Sequence, residues 1–181
     1  MKKIIVIGPS GAGKTTLSMQ LSELLSIPHT ELDSIYHQAN WQPIDTKEFK
    51  KRVNAIAKQP EWIFCGNYFS ALGLDFWQQA DTIIWCDYSF FLAMGRLFKR
   101  TLKRTVTKQE LWNGNRESFY TNFFTKESIF VWMIGSLKKQ KKRYGAIFSE
   151  PDTLAGVRLV RLRNPRETRA FLKKTQLSSL D

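Results

Sequence analysis

Short runs of β-branched and apolar residues alternate along the chain with longer stretches whose apolar positions recur every three or four residues. Lys3 to Ile7 is a β-branched run bounded by Gly8 and Pro9, too short for a helix, and reads as a buried strand. From Lys14, the residues Leu17, Leu21, Leu24 and Leu25 fall at i, i+4, i+7 and i+8, one face of a helix that stops before Pro28. His29 to Leu32 reads as a second strand. Asp45 can cap a helix with Glu48 reaching back, and Phe49, Val53, Ile56 and Ala57 form its inner face. Trp62 to Cys65, Thr82 to Cys86 and Val157 to Leu162 read as three more strands, followed by a helix from about Pro165 to Lys173. This alternation predicts an α/β fold with a parallel sheet covered on both faces.

One stretch breaks the rhythm. Ser89 to Arg104 predicts an amphipathic helix with Arg96, Arg100, Lys103 and Arg104 on one face. From about Arg104 to Glu150 no strand pattern follows. A second helix is expected from about Lys126 to Lys142, with Ile129, Phe130, Met133 and Leu137 inward, ending in the cluster Lys138, Lys139, Lys141, Lys142 and Arg143. The chain has 181 residues, which suits a single domain (1–181) with an insertion at 104–150. Hydrophobic residues make up 43%, which argues against global disorder. No apolar run is long enough to cross a bilayer, and no secretory leader is expected at the N-terminus. Two cysteines, Cys65 and Cys86, make no disulfide framework and fit the cytoplasm, and no Cys/His spacing suggests a zinc site.

Net charge is +12 and unevenly spread. Between Arg96 and Arg143 thirteen Lys/Arg face three acids, whereas the remainder holds fifteen bases and thirteen acids. Such a region calls for a polyanionic partner: the phosphates of a nucleotide, a nucleic acid or a membrane surface.

Gly8-Pro9-Ser10-Gly11-Ala12-Gly13-Lys14-Thr15 satisfies G-x-x-x-x-G-K-[ST] between a predicted strand and a predicted helix, the context that confirms a phosphate loop. Its glycines permit a curve that turns successive N–H groups inward as an anion nest, and the helix starting near Lys14 adds its positive end. Lys14 supplies a charge to the β- and γ-phosphates, the Thr15 hydroxyl can ligate Mg²⁺, and Gly8, Ser10, Gly11, Ala12, Gly13 and Thr16 are expected to bind the nucleotide with them. The sequence therefore predicts binding of a nucleoside triphosphate, ATP, with Mg²⁺.

Asp33, after the second strand, is expected at the carboxyl edge of the sheet, where it can take or orient a substrate hydroxyl; a turn cap is the competing role. Asp87 ends an apolar strand as a metal-holding carboxylate does, yet it also precedes Ser89 at a helix start, where it can cap. Cys65 stands where an acid is expected and reads as a small buried hydrophobe. Nothing in the sequence positions His29 or His37, and neither is assigned a catalytic role. Trp41 and Tyr68 can stack on a base or sugar, with packing the favoured role for each.

GPSGAGKT, ELDSIYHQANWQP, FCGNY, ADTIIWCD, ELWNGNRESF and VRLRNPRETRAFL, in that order, span nearly the whole chain. Taken together they resemble the adenylate-kinase-like group of P-loop kinases, and most of all the bacterial proteins labelled DNA topology modulation protein (FlaR-type). The resemblance implies a five-stranded parallel sheet of order 2-3-1-4-5 with a mobile helical lid between the fourth and fifth strands. It also implies that Asp33 is an acceptor-side aspartate, that Arg96 and Arg100 approach the transferred phosphate, and that Arg163 to Pro165 lies beside the nucleotide base. Relatives commonly carry Asp-Gly-Asn-Tyr where this chain has Cys65-Gly66-Asn67-Tyr68, which implies either slower catalysis or a metal organised by Asp87 or Asp33. Two functions follow. The favoured one is a kinase acting on a small-molecule acceptor. The alternative is a nucleic-acid-binding NTPase, whose basic segment interleaves Trp112, Phe119, Tyr120, Phe123 and Phe124 as a stacking surface.

Overall fold

The computed structural model describes residues 1–118 and 129–178. Five parallel strands form one sheet: β1 (Lys3–Ile7), β2 (His29–Glu31), β3 (Trp62–Cys65), β4 (Thr82–Cys86) and β5 (Arg158–Leu162), in the order β2-β3-β1-β4-β5. The helices are α1 (Lys14–Leu25), α2 (Leu32–Tyr36), α3 (Thr46–Ala57), α4 (Phe69–Leu72), α5 (Leu74–Trp77), α6 (Phe90–Val106), α7 (Ile129–Ser149) and α8 (Pro165–Leu177). β1 is central, pairing Ile4 with Ile63 on one side and with Thr82 on the other. Alternation along the strands sorts their side chains into two cores. Ile5, Ile7, Phe64, Ile83 and Trp85 face α3, α4, α5 and the end of α7, whereas Ile4, Val6, Ile63, Ile84 and Cys86 face α1 and α8.

The ordering matches the expected five-stranded parallel sheet, and four local readings change. β2 stops at Glu31, and Leu32 opens a five-residue helix too short to show a period. Asp45 does cap α3, accepting from the Lys47 and Glu48 N–H groups at 2.9 and 3.1 Å, but the Glu48 carboxylate turns to Arg52 at 2.9 Å. α6 is capped by Ser89, which accepts from Leu92 N–H at 3.4 Å, so Asp87 is not the cap. α7 does not end in its lysine cluster. It runs on to Ser149 because Tyr144 and Ile147 are buried among Trp77, Trp85 and Leu154. Leu137 of the same helix packs against Ala93 and Leu97 of α6. Phe119, Tyr120, Phe123, Phe124 and the expected start of the second helix at Lys126 lie outside the described residues. No helix among the described residues is long and apolar enough to cross a membrane.

The loop between β1 and α1 touches other backbone directly. A Cβ on Gly11, whose φ is +80°, would stand 2.1 Å from the Ala93 carbonyl oxygen and 3.0 Å from the Leu97 nitrogen. Gly11→Ala is therefore expected to destabilise the fold by the overpacking cost of about 1–3 kcal/mol on top of the strain of a positive φ. Gly156→Ala, also at φ +81° but with open space around it, should show the strain alone. Urea unfolding of the two variants checks this; equal losses would mean that the loop does not rest on α6.

Candidate active site

Gly13, in the left-handed conformation at φ +83°, ends the loop and starts α1 with no side-chain cap, so the helix presents its first N–H groups to the loop's interior. Gly8 lies so close to β4 that a Cβ would meet the Cys86 carbonyl oxygen at 2.5 Å. The Asn67 side chain pins Gly8 from both sides, its Oδ1 accepting from the Gly8 N–H at 2.9 Å and its Nδ2 donating to the Gly8 carbonyl at 2.5 Å. Lys14 arches back over the loop and donates to the Pro9 carbonyl at 3.2 Å. Ala12 points into the core under α1, and Ser10 is half-buried.

A cavity of about 530 Å³ opens beside the loop. It is lined by Gly11, Gly13, Lys14, Thr15 and Thr16, by Arg96, Arg100 and Arg104 of α6, and by Pro165, Thr168 and Arg169 of α8. The expected arginine face of α6 thus meets the expected phosphate loop. Arg96 lies over the Tyr88 ring at 5.5 Å, and a Cβ on Gly13 would be 3.6 Å from its Nη1. Tyr88 is tied to α8 by a 2.6 Å hydroxyl contact with Thr168. Arg104 is paired with the well-buried Glu117 at 3.0 Å. Burial, and secondarily the neighbouring Arg104, lowers the Arg100 pKa, and its Nε is buried without a hydrogen-bond partner among the described residues. Those strains on a cation are relieved when an anion enters. Arg163 is exposed, its N–H bonded to Glu167, and does not line the cavity, whereas Pro165 and, without a sequence signal, Thr168 and Arg169 do.

On the other side of the loop, Asp33 sits in α2 and accepts the Tyr68 hydroxyl at 2.6 Å, so it is held by a side chain rather than spent on a turn. Burial and the Asp33 charge push the Tyr68 pKa up, which keeps the hydroxyl a donor. Asp87 is engaged otherwise. Its Oδ2 takes two bonds from Arg161, at 3.0 and 2.6 Å, and Lys141 lies 3.6 Å from Oδ1. Arg161 is itself stacked on Trp85 at 4.5 Å. The pairing with β5 occupies Oδ2, whereas the buried Oδ1 has no hydrogen-bond partner among the described residues. The side chain facing Thr15 is Cys65, with Sγ 4.0 Å from the Thr15 Oγ1 and a pKa pushed up by burial to about 11. For Mg²⁺ the fit is thus to Thr15, a hard oxygen donor beside the phosphate cradle.

Two loops of the same build meet beside α2. Each has one antiparallel bridge, His37↔Pro43 and Glu110↔Arg116, around a single 3₁₀ turn, with Asn40 and Asn113 at φ +58° and +57°. They clasp each other. The Asn115 Oδ1 accepts from the Trp41 N–H at 2.8 Å, while its Nδ2 donates to the carbonyls of Gln38 at 2.8 Å and Trp112 at 2.9 Å. Asn113 donates to the carbonyls of Ser34 and His37, and the Trp41 indole N–H donates to that of Arg116 at 3.2 Å. Trp41 and Tyr68 thus serve the architecture. Asn115 is 3% exposed, and Asn115→Ala removes the partner of the part-buried Trp41 N–H and of the Gln38 carbonyl. A stability loss of about 1–3 kcal/mol is expected in urea unfolding, and Asn115→Asp should not recover it, because it loses the donor and sets a carboxylate oxygen against the Gln38 and Trp112 carbonyls. An unchanged midpoint in Asn115→Ala would mean the clasp is not formed in solution.

Comparison with known proteins supports the fold. The family model PduV-EutP, described as ethanolamine utilisation - propanediol utilisation, a P-loop family, matches residues 1–73. No curated protein matches the chain in sequence. Among solved structures, shikimate kinase from Acinetobacter baumannii in complex with shikimate is similar at TM-score 0.61 and 18% identity, over 99% of this chain and 93% of that one. Shikimate kinase from Bacteroides thetaiotaomicron is similar at TM-score 0.60 and 13% identity, over 98% of each chain. A gluconokinase from Sinorhizobium meliloti 1021 gives 0.53 and 14%, over 99% and 95%. At such identities the likeness is one of fold, and the fold is that of the P-loop kinases.

Proposed function

We propose that this chain is a phosphotransferase that moves the γ-phosphoryl group of ATP to a small acceptor bearing a hydroxyl or phosphate. The observation that carries the reading is the convergence, on one cavity, of the phosphate loop with Arg96 and Arg100, while Asp33 is held on the acceptor side by Tyr68. The loop N–H groups and Lys14 hold the β- and γ-phosphates. Arg96 and Arg100 neutralise charge on the group in flight, and the buried Arg100 does so in a site of reduced dielectric. Asp33 accepts the acceptor's hydroxyl proton as the new O–P bond forms and the bond to the β-phosphate oxygen breaks. Mg²⁺, with Thr15 as its protein ligand, would supply further charge neutralisation when bound.

The basic segment 104–150 acts in this reading as the closing element, with its end anchored through Tyr144 and its start through the clasp. Closure brings cations onto phosphate oxygens and excludes water that would hydrolyse ATP. The FlaR-type resemblance fits this reading, because its motifs ELDSIYHQANWQP and ELWNGNRESF are the two clasped segments. The two free cysteines fit residence in the cytoplasm.

Lys14→Ala should lower ATP affinity by the value of a charge-assisted contact, about 1.5–3 kcal/mol, with an unchanged circular dichroism spectrum. Isothermal titration with Mg·ATP measures it, and unchanged affinity and turnover would remove the loop from nucleotide binding. The acceptor is found by thermal-shift screening of nucleosides, nucleotides and hydroxy metabolites with a non-hydrolysable ATP analogue and Mg²⁺. With it in hand, Asp33→Asn, which can still accept the Tyr68 hydroxyl, should slow transfer by roughly 10²–10⁴-fold while ATP affinity holds. Full transfer by Asp33→Asn would reduce Asp33 to a structural partner of Tyr68.

A further inference from the structure

His29, Glu31 and Cys65 are brought together by strand register. In the parallel pairing of β2 with β3, His29 lies opposite Ile63 and Glu31 opposite Cys65, and residues two apart share a face. All three therefore stand on the side of the sheet covered by α1, where one ligand atom from each lies within 4.8 Å of the others. The His29 Nε2 is buried and has no hydrogen-bond partner among the described residues, although an imidazole nitrogen away from water normally finds one. Thr15, Glu31, His29, Ser34 and Trp112 line a cleft beside the group, so an ion has an approach.

We propose that His29, Glu31 and Cys65 bind a divalent transition ion of the Zn²⁺ or Co²⁺ class beside the phosphate loop. One nitrogen, one carboxylate oxygen and one sulfur make a mixed donor set that suits such ions and not Mg²⁺ or Ca²⁺, which take oxygen. Around a tetrahedral ion with bonds of 2.0–2.3 Å, ligand atoms stand about 3.3–3.8 Å apart, so the observed group closes by small side-chain rotations. Three protein ligands leave a fourth position on the cleft side. Burial lowers the His29 pKa, which favours the neutral imidazole that a metal needs. The Cys65 thiol, pushed up to about 11, is protonated before binding; its S–H bond gives way to a sulfur–metal bond and the proton leaves to water. The proposal does not depend on phosphotransfer and adds a second class of ion to this edge of the sheet.

Titration of the full chain with CoCl₂, without nucleotide, tests it. Expected is one equivalent bound, with a thiolate-to-cobalt charge-transfer absorption in the near ultraviolet that ZnCl₂ displaces and excess MgCl₂ does not. Cys65→Ser should abolish the band, and His29→Ala should weaken Co²⁺ binding by more than ~100-fold, beyond the loss usual for an outer-shell partner. Cys86→Ser, at the other buried thiol, should leave the band unchanged. Circular dichroism confirms that each variant is folded, and His29→Gln replaces any that is not. Absence of the band in the unaltered chain, or its persistence in Cys65→Ser, overturns the proposal. ATP binding is measured separately by calorimetry, so failure here leaves the phosphate-loop reading standing and the converse also holds.

Discussion

The approach of the phosphate loop to two other stretches of backbone is the constraint on which the site depends. Gly8 meets the Cys86 carbonyl at the end of β4, and Gly11 meets the Ala93 carbonyl in the first turns of α6. Neither approach leaves room for a side chain, and both residues hold φ values that only glycine adopts cheaply. Seated this way, the loop fixes how far α6 stands from the start of α1. That distance sets Arg96 against Gly13 and lets Arg100 reach the same cavity. The glycines thus serve the arginines as much as the phosphates.

Charge in the site is divided between pairs that are settled and cations that are not. Asp87 and Arg161 neutralise each other across β4 and β5, and Arg104 is matched by Glu117. Among the described residues Arg100 has no such direct partner at Nε and feels Glu117, Asp33 and Glu31 as more distant opposite charges. A buried cation held this way is poised for an anion, since a ligand phosphate gives it the hydrogen bonds that the protein does not.

The clasp between the 37–43 and 110–116 loops joins the two halves of the cleft outside the sheet. One loop follows the helix that carries Asp33, and the other follows the helix that carries the arginines. Their union is made by asparagine side chains and the Trp41 indole bonding to backbone groups. Register between the loops therefore depends on Asn113 and Asn115, and the surrounding residues set the surface.

The strands, the main helices and the phosphate loop are legible in the sequence because each is written in a local pattern. β1, β3 and β4 follow from apolar runs, α1 from its leucine spacing, and the loop from glycines, lysine and threonine at fixed offsets. The arginine face of α6 is legible for the same reason, as a helical period places Arg96 and Arg100 together whatever lies opposite. The tertiary structure alone decided the partners. Asp87 shows no ion-pair partner in its own segment, and only β5 brings Arg161, 74 residues away, against it. His29, Glu31 and Cys65 carry no recognisable spacing, and become neighbours only through the pairing of β2 with β3. Asn115 looks like an ordinary turn residue until it enters a loop 77 residues upstream. Periodicity fixes which way a side chain faces along its own element, whereas the identity of what it faces is set by contacts between segments that no local pattern encodes.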